Sequence, residues 1–338
     1  MRKWNMTGGL WVLCCLAVLL SCCVPAAAVQ MPAEDNPMVL SADHLKFSRI
    51  GEEQKLRVEE VDPDELFWSS DDQSVAMVAE GTVVVTGEGE TDIRVYNFFD
   101  GREAVCHITS TPDPDVQPWL IRREFYQQPL VRPPLPSRDV TDYFDDVIIM
   151  GDSTSYALLQ WEKLHDQMGD AVFLTRGGVS TNSLLLGFRK YFYRNQEYRV
   201  EDAVAATGRK KLYVMLGAND IPQFGVDHSF ELFEELVALI LEKTPDIQLY
   251  IQSITPVWTD AQYKGLTNEE FDEYNAKLEA YCQENGYHFV DIAPYFKDST
   301  NGFAKGYCAD FLIHANYKGC GMWAQVLKAY IAENEMEG

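Results

Sequence analysis

Five short apolar runs, at residues 147–150, 172–174, 211–216, 248–254 and 288–292, alternate with helix-forming stretches through the later part of the chain. The clearest helix signal lies at residues 230–240, where apolar side chains recur at helical spacing, and residues 271–283 and 321–332 carry the same signal. Strands separated by whole helices have no hairpin to pair them antiparallel. They line up in parallel, with the crossover helices covering both faces of the sheet. A sheet covered on both faces needs strands that are apolar throughout, which Val147-Ile148-Ile149-Met150 supplies. The alternation therefore predicts a three-layer α/β/α domain with a five-stranded parallel sheet over residues 143–338. Ligands of such sheets sit beyond the carboxyl ends of the strands, so chemistry is sought just after each apolar run.

The chain before this domain has a different rhythm. Between residues 37 and 111, runs such as Lys55-Leu56-Arg57-Val58, Thr82-Val83-Val84-Val85 and Asp92-Ile93-Arg94-Val95-Tyr96 are rich in β-branched residues or alternate apolar with polar. Gly51, Gly81, Gly87 and Gly89 break them, and the spacing predicts a small all-β sandwich. Phe67-Trp68-Ser69-Ser70-Asp71, Val75-Ala76-Met77-Val78 and Cys106-His107-Ile108-Thr109 resemble the strands of group 2 bacterial immunoglobulin-like domains. The resemblance implies a core role for Trp68 and a spacer or adhesion role at a cell surface, with contact to wall or surface glycan. Residues 112–142, stiffened by Pro129, Pro133, Pro134 and Pro136, read as a linker. The sequence leaves open which domain residues 119–126 pack against.

Hydrophobic residues make up 46% of the 338, enough for a sizeable core and too many for global disorder. A formal net charge of -24 would repel nucleic acid and anionic membrane surfaces. Residues 1–28 read as an export signal, with a basic start at Arg2 and Lys3, an apolar stretch at 10–20 and a small-residue cleavage site at Ala26-Ala27-Ala28. Two other readings stay open. Leu19-Leu20-Ser21-Cys22 resembles a bacterial lipobox, which would put a lipid on Cys22, and the apolar stretch could remain as an uncleaved anchor. All three place the body of the protein outside the cytoplasm, in the medium or at the cell surface. Beyond this leader, Cys106, Cys282, Cys308 and Cys320 form no CxxC pair or Cys/His cluster that would suggest a metal. Cys308 and Cys320 read either as small buried residues or as a disulfide.

Gly151-Asp152-Ser153 follows the first apolar run of the α/β part, Gly178-Val179-Ser180-Thr181 the second and Gly217-Ala218-Asn219-Asp220 the third, while Asp310 and His314 precede the last helix. Hydrolysis at a serine needs an attacking hydroxyl, a base, an orienter for the base and donors for the developing oxyanion. Ser153 suits the first role, although serine is also a favoured helix N-cap. Of six histidines, His314 alone lies in a loop before a C-terminal helix and four residues after an aspartate, so it suits the base. In this order the blocks resemble the SGNH (GDSL-type) hydrolases. The resemblance implies a flavodoxin-like sheet, serine esterase activity without cofactor or metal, and a Ser153–His314–Asp310 triad. It further implies an oxyanion hole built from the backbone N–H of Ser153, the backbone N–H of Thr181 and the side-chain amide of Asn219. Asp152, Gly178 and Gly217 read as supporting loop residues, and Asp152 and Asp220 as turn or cap residues. The chain departs from the commonest pattern twice. Asp and His stand four apart rather than three, with Phe311 where that pattern has Asp, and Thr181 takes the place of a glycine.

Export together with a surface-type module points to a short-chain esterase that deacetylates carbohydrate, a substrate assignment resting on analogy. No long apolar lid segment for lipid is evident after the leader. Two alternatives use the same residues: an O-acyltransferase working on a surface glycan, and an inactive surface binding protein. Tyr156, Trp161, Trp258 and Tyr263 are read as pocket aromatics or as ordinary core and surface residues.

Overall fold

The computed structural model describes residues 37–263 and 265–335; the export signal expected at residues 1–28, with Arg2, Lys3 and Cys22, lies outside them. β1 (His44–Phe47), β2 (Glu53–Lys55), β3 (Leu66–Ser70), β4 (Ala76–Ala79), β5 (Thr82–Val85), β6 (Gly89–Asn97) and β7 (Glu103–Ser110) form two sheets, ordered β1-β7-β6-β3 and β2-β5-β4. β1 joins β7 in parallel, and the neighbouring pairs are antiparallel. Alternate side chains from the two sheets meet in a core that includes Phe47, Val83, Val85, Ile93 and Ile108, with Trp68 among them as expected. The strand expected over residues 55–58 stops at Lys55. Leu56 instead turns its side chain inward at 1% exposure while its N–H donates to the Gly81 carbonyl at 2.8 Å.

The second domain is built from β8 (Val147–Gly151), α1 (Ser153–His165), β9 (Val172–Thr175), α2 (Thr181–Leu185), β10 (Tyr191–Tyr193), β11 (Gln196–Tyr198), α3 (Val200–Thr207), β12 (Lys211–Met215), α4 (Ile221–Lys243), β13 (Gln248–Gln252), α5 (Asn268–Asn285), β14 (His288–Val290), α6 (Ala293–Phe296) and α7 (Tyr317–Asn334). Its five-stranded sheet runs β14-β13-β12-β8-β9, with every pairing parallel. Val147 through Met150 are all at 0% exposure, and each fully buried aliphatic side chain contributes on the order of 1.5–3 kcal/mol. From β8 the chain steps one way to β9, and from β9 it crosses back over β8 to β12. Right-handed crossovers in opposite directions put their helices on opposite faces. Accordingly α1 packs against α7, and α4 packs against α3 and α5. The direction reverses between β8 and β12, so the turns after these strands open onto one crevice. The β10–β11 hairpin was not expected; its turn residues Arg194 and Asn195 both have positive φ.

The proline-rich segment packs along both domains. Trp119 donates its N–H to the Ile50 carbonyl of the sandwich at 2.8 Å, and Phe125 is buried against Met77, Ala79 and Val84. On the other side, Arg123 makes two hydrogen bonds to Asp260, and the Leu130 N–H reaches the Lys297 carbonyl. The domains also meet directly. Phe67, Tyr96 and Phe98 belong to the core of the α/β domain. A Cβ at Gly321 of α7 would lie 3.2 Å from the Phe99 ring and 3.4 Å from Trp161, so a glycine there admits the sandwich. Lys318, in the first turn of α7, is 5% exposed, and both carboxylate oxygens of Glu80 in the β4–β5 turn lie 3.0 Å from its ammonium.

Removing one partner of a fully buried ion pair costs about 3–5 kcal/mol. Glu80 is half in water, so Glu80→Gln is expected to cost only about 1–2 kcal/mol in urea unfolding. The double variant Glu80→Gln with Lys318→Met should lose less than the two single losses added together. Additive losses would mean that the pair does not couple the domains.

Candidate active site

Ser153 owes its position to two neighbours. Gly151 ends β8 where a Cβ would lie 2.1 Å from Ser155 Oγ and 2.7 Å from the Met215 carbonyl, so the chain can enter α1 there only without a side chain. Asp152 is the N-cap of α1. Its Oδ1 accepts from the Thr154 N–H at 2.9 Å and from the Thr154 hydroxyl at 2.7 Å. Capping is thus done by Asp152, and the Ser153 hydroxyl is left for other work. The Ser153 N–H, in the first turn of α1, has no protein partner among the described residues.

His314 Nε2 lies 2.9 Å from Ser153 Oγ, and His314 Nδ1 lies 2.5 Å from Asp310 Oδ2. A proton on Nδ1 held by that carboxylate leaves the Nε2 lone pair facing the serine hydroxyl. The other oxygen of Asp310 accepts the backbone N–H groups of Leu312, Ile313 and His314 at 3.0, 3.1 and 3.2 Å. Phe311 absorbs the additional residue between Asp and His by taking a left-handed φ of 54°. The loop is braced outside as well: the Trp258 N–H donates to the Leu312 carbonyl at 2.7 Å, and the Trp258 and Phe311 rings meet edge to face. Burial alone would raise the Asp310 carboxyl. The hydrogen bonds from the His314 ring and the backbone outweigh it and hold the group below the usual carboxylate range.

The expected oxyanion donors are differently placed. Asn219 reaches the crevice from the turn after β12, and its amide nitrogen lies 3.1 Å from Asp152 Oδ2 and 2.8 Å from the Val179 carbonyl. The Thr181 N–H points at Asp220 Oδ2 at 2.8 Å, and the Asn182 N–H at Asp220 Oδ1 at 3.0 Å. The N–H assigned to the hole at Thr181 is therefore engaged by a carboxylate, and only the Ser153 N–H is unengaged among the three donors. Asp220 precedes α4 but its carboxylate makes no cap hydrogen bond to it; it accepts from the first two N–H groups of α2, while Ser180 caps that helix through the Ser183 N–H. Burial pushes the carboxyls of Asp152 and Asp220 upward, against the hydrogen bonds they accept. Gly217 has φ 129°, and a Cβ there would lie 2.4 Å from the Tyr274 ring; Gly178 has φ 67°, so both supporting glycines sit where a side chain is disfavoured.

Residues 147–321, more than half of the chain, match the GDSL-like lipase/acylhydrolase family. The chain belongs to that family. This GDSL-like chain is accordingly a serine hydrolase that acts on ester bonds. Solved structures similar to it include a GDSL-like lipase from Bacteroides thetaiotaomicron, 16% identical, covering 57% of this chain and 90% of its own, with a TM-score of 0.45. A member of the lipolytic G-D-S-L family from Veillonella parvula is 17% identical, covering 56% and 98%, with a TM-score of 0.40. A carbohydrate esterase family 3 protein from Talaromyces cellulolyticus is 15% identical, covering 55% and 95%, also with a TM-score of 0.40. None of the curated proteins compared with the chain matches it.

Sequence reasoning missed Tyr191, which the hairpin delivers to the site. Its buried hydroxyl donates to the Gly151 carbonyl at 3.1 Å, and three-residue strands give too short a pattern to announce it. Of the aromatics considered for a pocket, Trp161 and Trp258 are buried, while Tyr156 and Tyr263 are exposed. Cys308 and Cys320 are both buried free thiols.

The lowered Asp310 carboxyl has a consequence for acid stability. Its contribution is fully present above the unfolded value of about 3.9 and is lost as pH falls through the lower folded value. The stability gap between wild type and Asp310→Asn should therefore close on acidification below about pH 4. Urea unfolding across a pH series would register this, and an equal gap at neutral and acid pH would contradict it.

Proposed function

We propose that the protein is an exported serine esterase that removes short acyl groups, acetyl foremost, from carbohydrate at or outside the cell surface. The observation that carries the catalytic part is the unbroken chain from Asp310 through His314 to Ser153, with links of 2.5 and 2.9 Å. Ser153 Oγ attacks the ester carbonyl while His314 Nε2 takes its proton, and Asp310 stabilises the imidazolium that forms. The tetrahedral oxyanion is received by the Ser153 N–H, helped by the N-terminal end of α1. Collapse expels the alcohol, which takes the proton from His314, and leaves an acyl group on Ser153. Water activated by the same histidine then releases the acid. Asn219 joins the hole when one of its amide hydrogens turns from Asp152 or Val179 to the oxyanion. Export is supported by the leader at residues 1–28, and carbohydrate by the sandwich that precedes the esterase domain.

The occupied donors at Asn219 and Thr181 favour one rival, a binding protein with a dormant triad. Reaction with a fluorophosphonate separates the two. Labelling of Ser153 supports the esterase, and an unreactive serine supports the rival.

Hydrolysis of p-nitrophenyl esters from acetate to octanoate is the direct test. Wild type should prefer acetate, and Ser153→Ala and His314→Ala should each lower kcat by about 10⁴–10⁶-fold. Asn219→Ala should cost roughly 10²–10³-fold while remaining folded. Wild-type turnover in Asn219→Ala would remove that residue from the hole, and preference for octanoate would move the substrate class to lipid.

A further inference from the structure

A cleft of about 520 Å³ opens between the sandwich, the linker and helices α1 and α7. Its size is within the roughly 300–1,000 Å³ typical of ligand sites. None of Ser153, His314 and Asn219 lines it. Two polar side chains of α7, one turn apart, form part of its wall although both are almost wholly buried: Gln325 at 3% exposure and Lys328 at 7%. The Gln325 amide has no hydrogen-bond partner among the described residues, and Lys328 spends one of its three N–H donors on Gln167 at 3.0 Å. The Gln325 amide therefore keeps donor and acceptor capacity to offer a ligand in the cleft.

The lining narrows what that something is. Four carboxylates, from Asp62, Asp64, Glu65 and Asp139, face two cations, Arg138 and Lys328, so the cleft does not favour an anion. These charged groups share the wall with Phe99, Pro136, Val140 and Trp161, so the cleft offers hydrogen bonds and apolar surface together, as the edges and faces of a sugar ring require. Carboxylate acceptors beside amide and ammonium donors suit a neutral ligand in which every position both gives and takes a hydrogen bond, and Tyr317, 53% exposed at the edge, adds an aromatic surface. Tyr317 also opens α7, three residues after His314 in the sequence.

We propose that this interdomain cleft is a glycan subsite that holds a neutral sugar unit of a polymeric substrate while an ester elsewhere on the same strand is cleaved. The assignment rests on the carbohydrate reading above. Gln325 and Lys328 donate to sugar hydroxyls, and the carboxylates of the sandwich edge accept from them.

Isothermal titration of the intact Ser153→Ala protein with cellohexaose, xylohexaose and chitohexaose tests the subsite without any hydrolysis. At least one sugar should bind saturably. Gln325→Met should weaken it about tenfold, the effect of losing one good hydrogen bond. Asp64→Ala, an exposed change that does not threaten the fold, should weaken it as well. In the otherwise wild-type protein the same two changes should leave p-nitrophenyl acetate hydrolysis unaltered. Absence of saturation with all three sugars, or binding that neither variant weakens, overturns the subsite. Esterase activity is read separately from p-nitrophenyl acetate, so an active enzyme that binds no sugar refutes the subsite alone, and an inactive protein that binds sugar refutes the esterase reading alone.

Discussion

A single carboxylate fixes the geometry around Ser153. One oxygen of Asp310 gathers three successive backbone N–H groups and closes the loop, and the other holds the His314 ring. Loop shape and base orientation are therefore one constraint. This explains how the chain tolerates an unusual Asp–His spacing. What must be preserved is the reach from the carboxylate to Nδ1, and the loop backbone adjusts to it through the left-handed turn at Phe311, steadied against Trp258.

Two further carboxylates organise the opposite side of the crevice. Asp152 caps the helix that carries Ser153, and Asp220, from the turn after β12, holds the first two N–H groups of α2. Each satisfies N–H groups that a helix start leaves open. Both are buried and disfavour additional negative charge nearby, so the N-terminal end of α1 and any donor freed on substrate binding must outweigh them when an oxyanion forms. A site with its cap residues and its nucleophile on adjacent positions separates structural from chemical duty by one residue.

The parts of the fold and site that depend on local chemistry were legible in the sequence. Continuous apolar runs announced the parallel strands, and their order placed the turns after β8 and β12 side by side. Ser153 and His314 could be picked out because each stood in an expected position relative to a strand or helix end. Features that depend on distant partners were not legible. The group that binds the Thr181 N–H is far away in sequence, and nothing near Thr181 reports it. Phe311 gives no hint of a left-handed backbone, since aromatic residues seldom adopt it. Lys318 reads as an ordinary surface lysine until the sandwich covers it. The proline-rich segment reads as a spacer because composition reports stiffness and not what the segment touches.

The covered Lys318 bears on how a protein of this kind can change over generations. Proline-rich segments between domains are natural seams for recombination, and this chain has one. A crossover there would hand the α/β half a new companion and leave the Lys318 ammonium and the Gly321 surface of α7 without their cover, a few residues from the His314 loop. An α/β half moved to a new companion would need compensating changes on α7 to cover that surface. Beneath an organisation that looks modular, the contacts across the seam tie the two halves to each other.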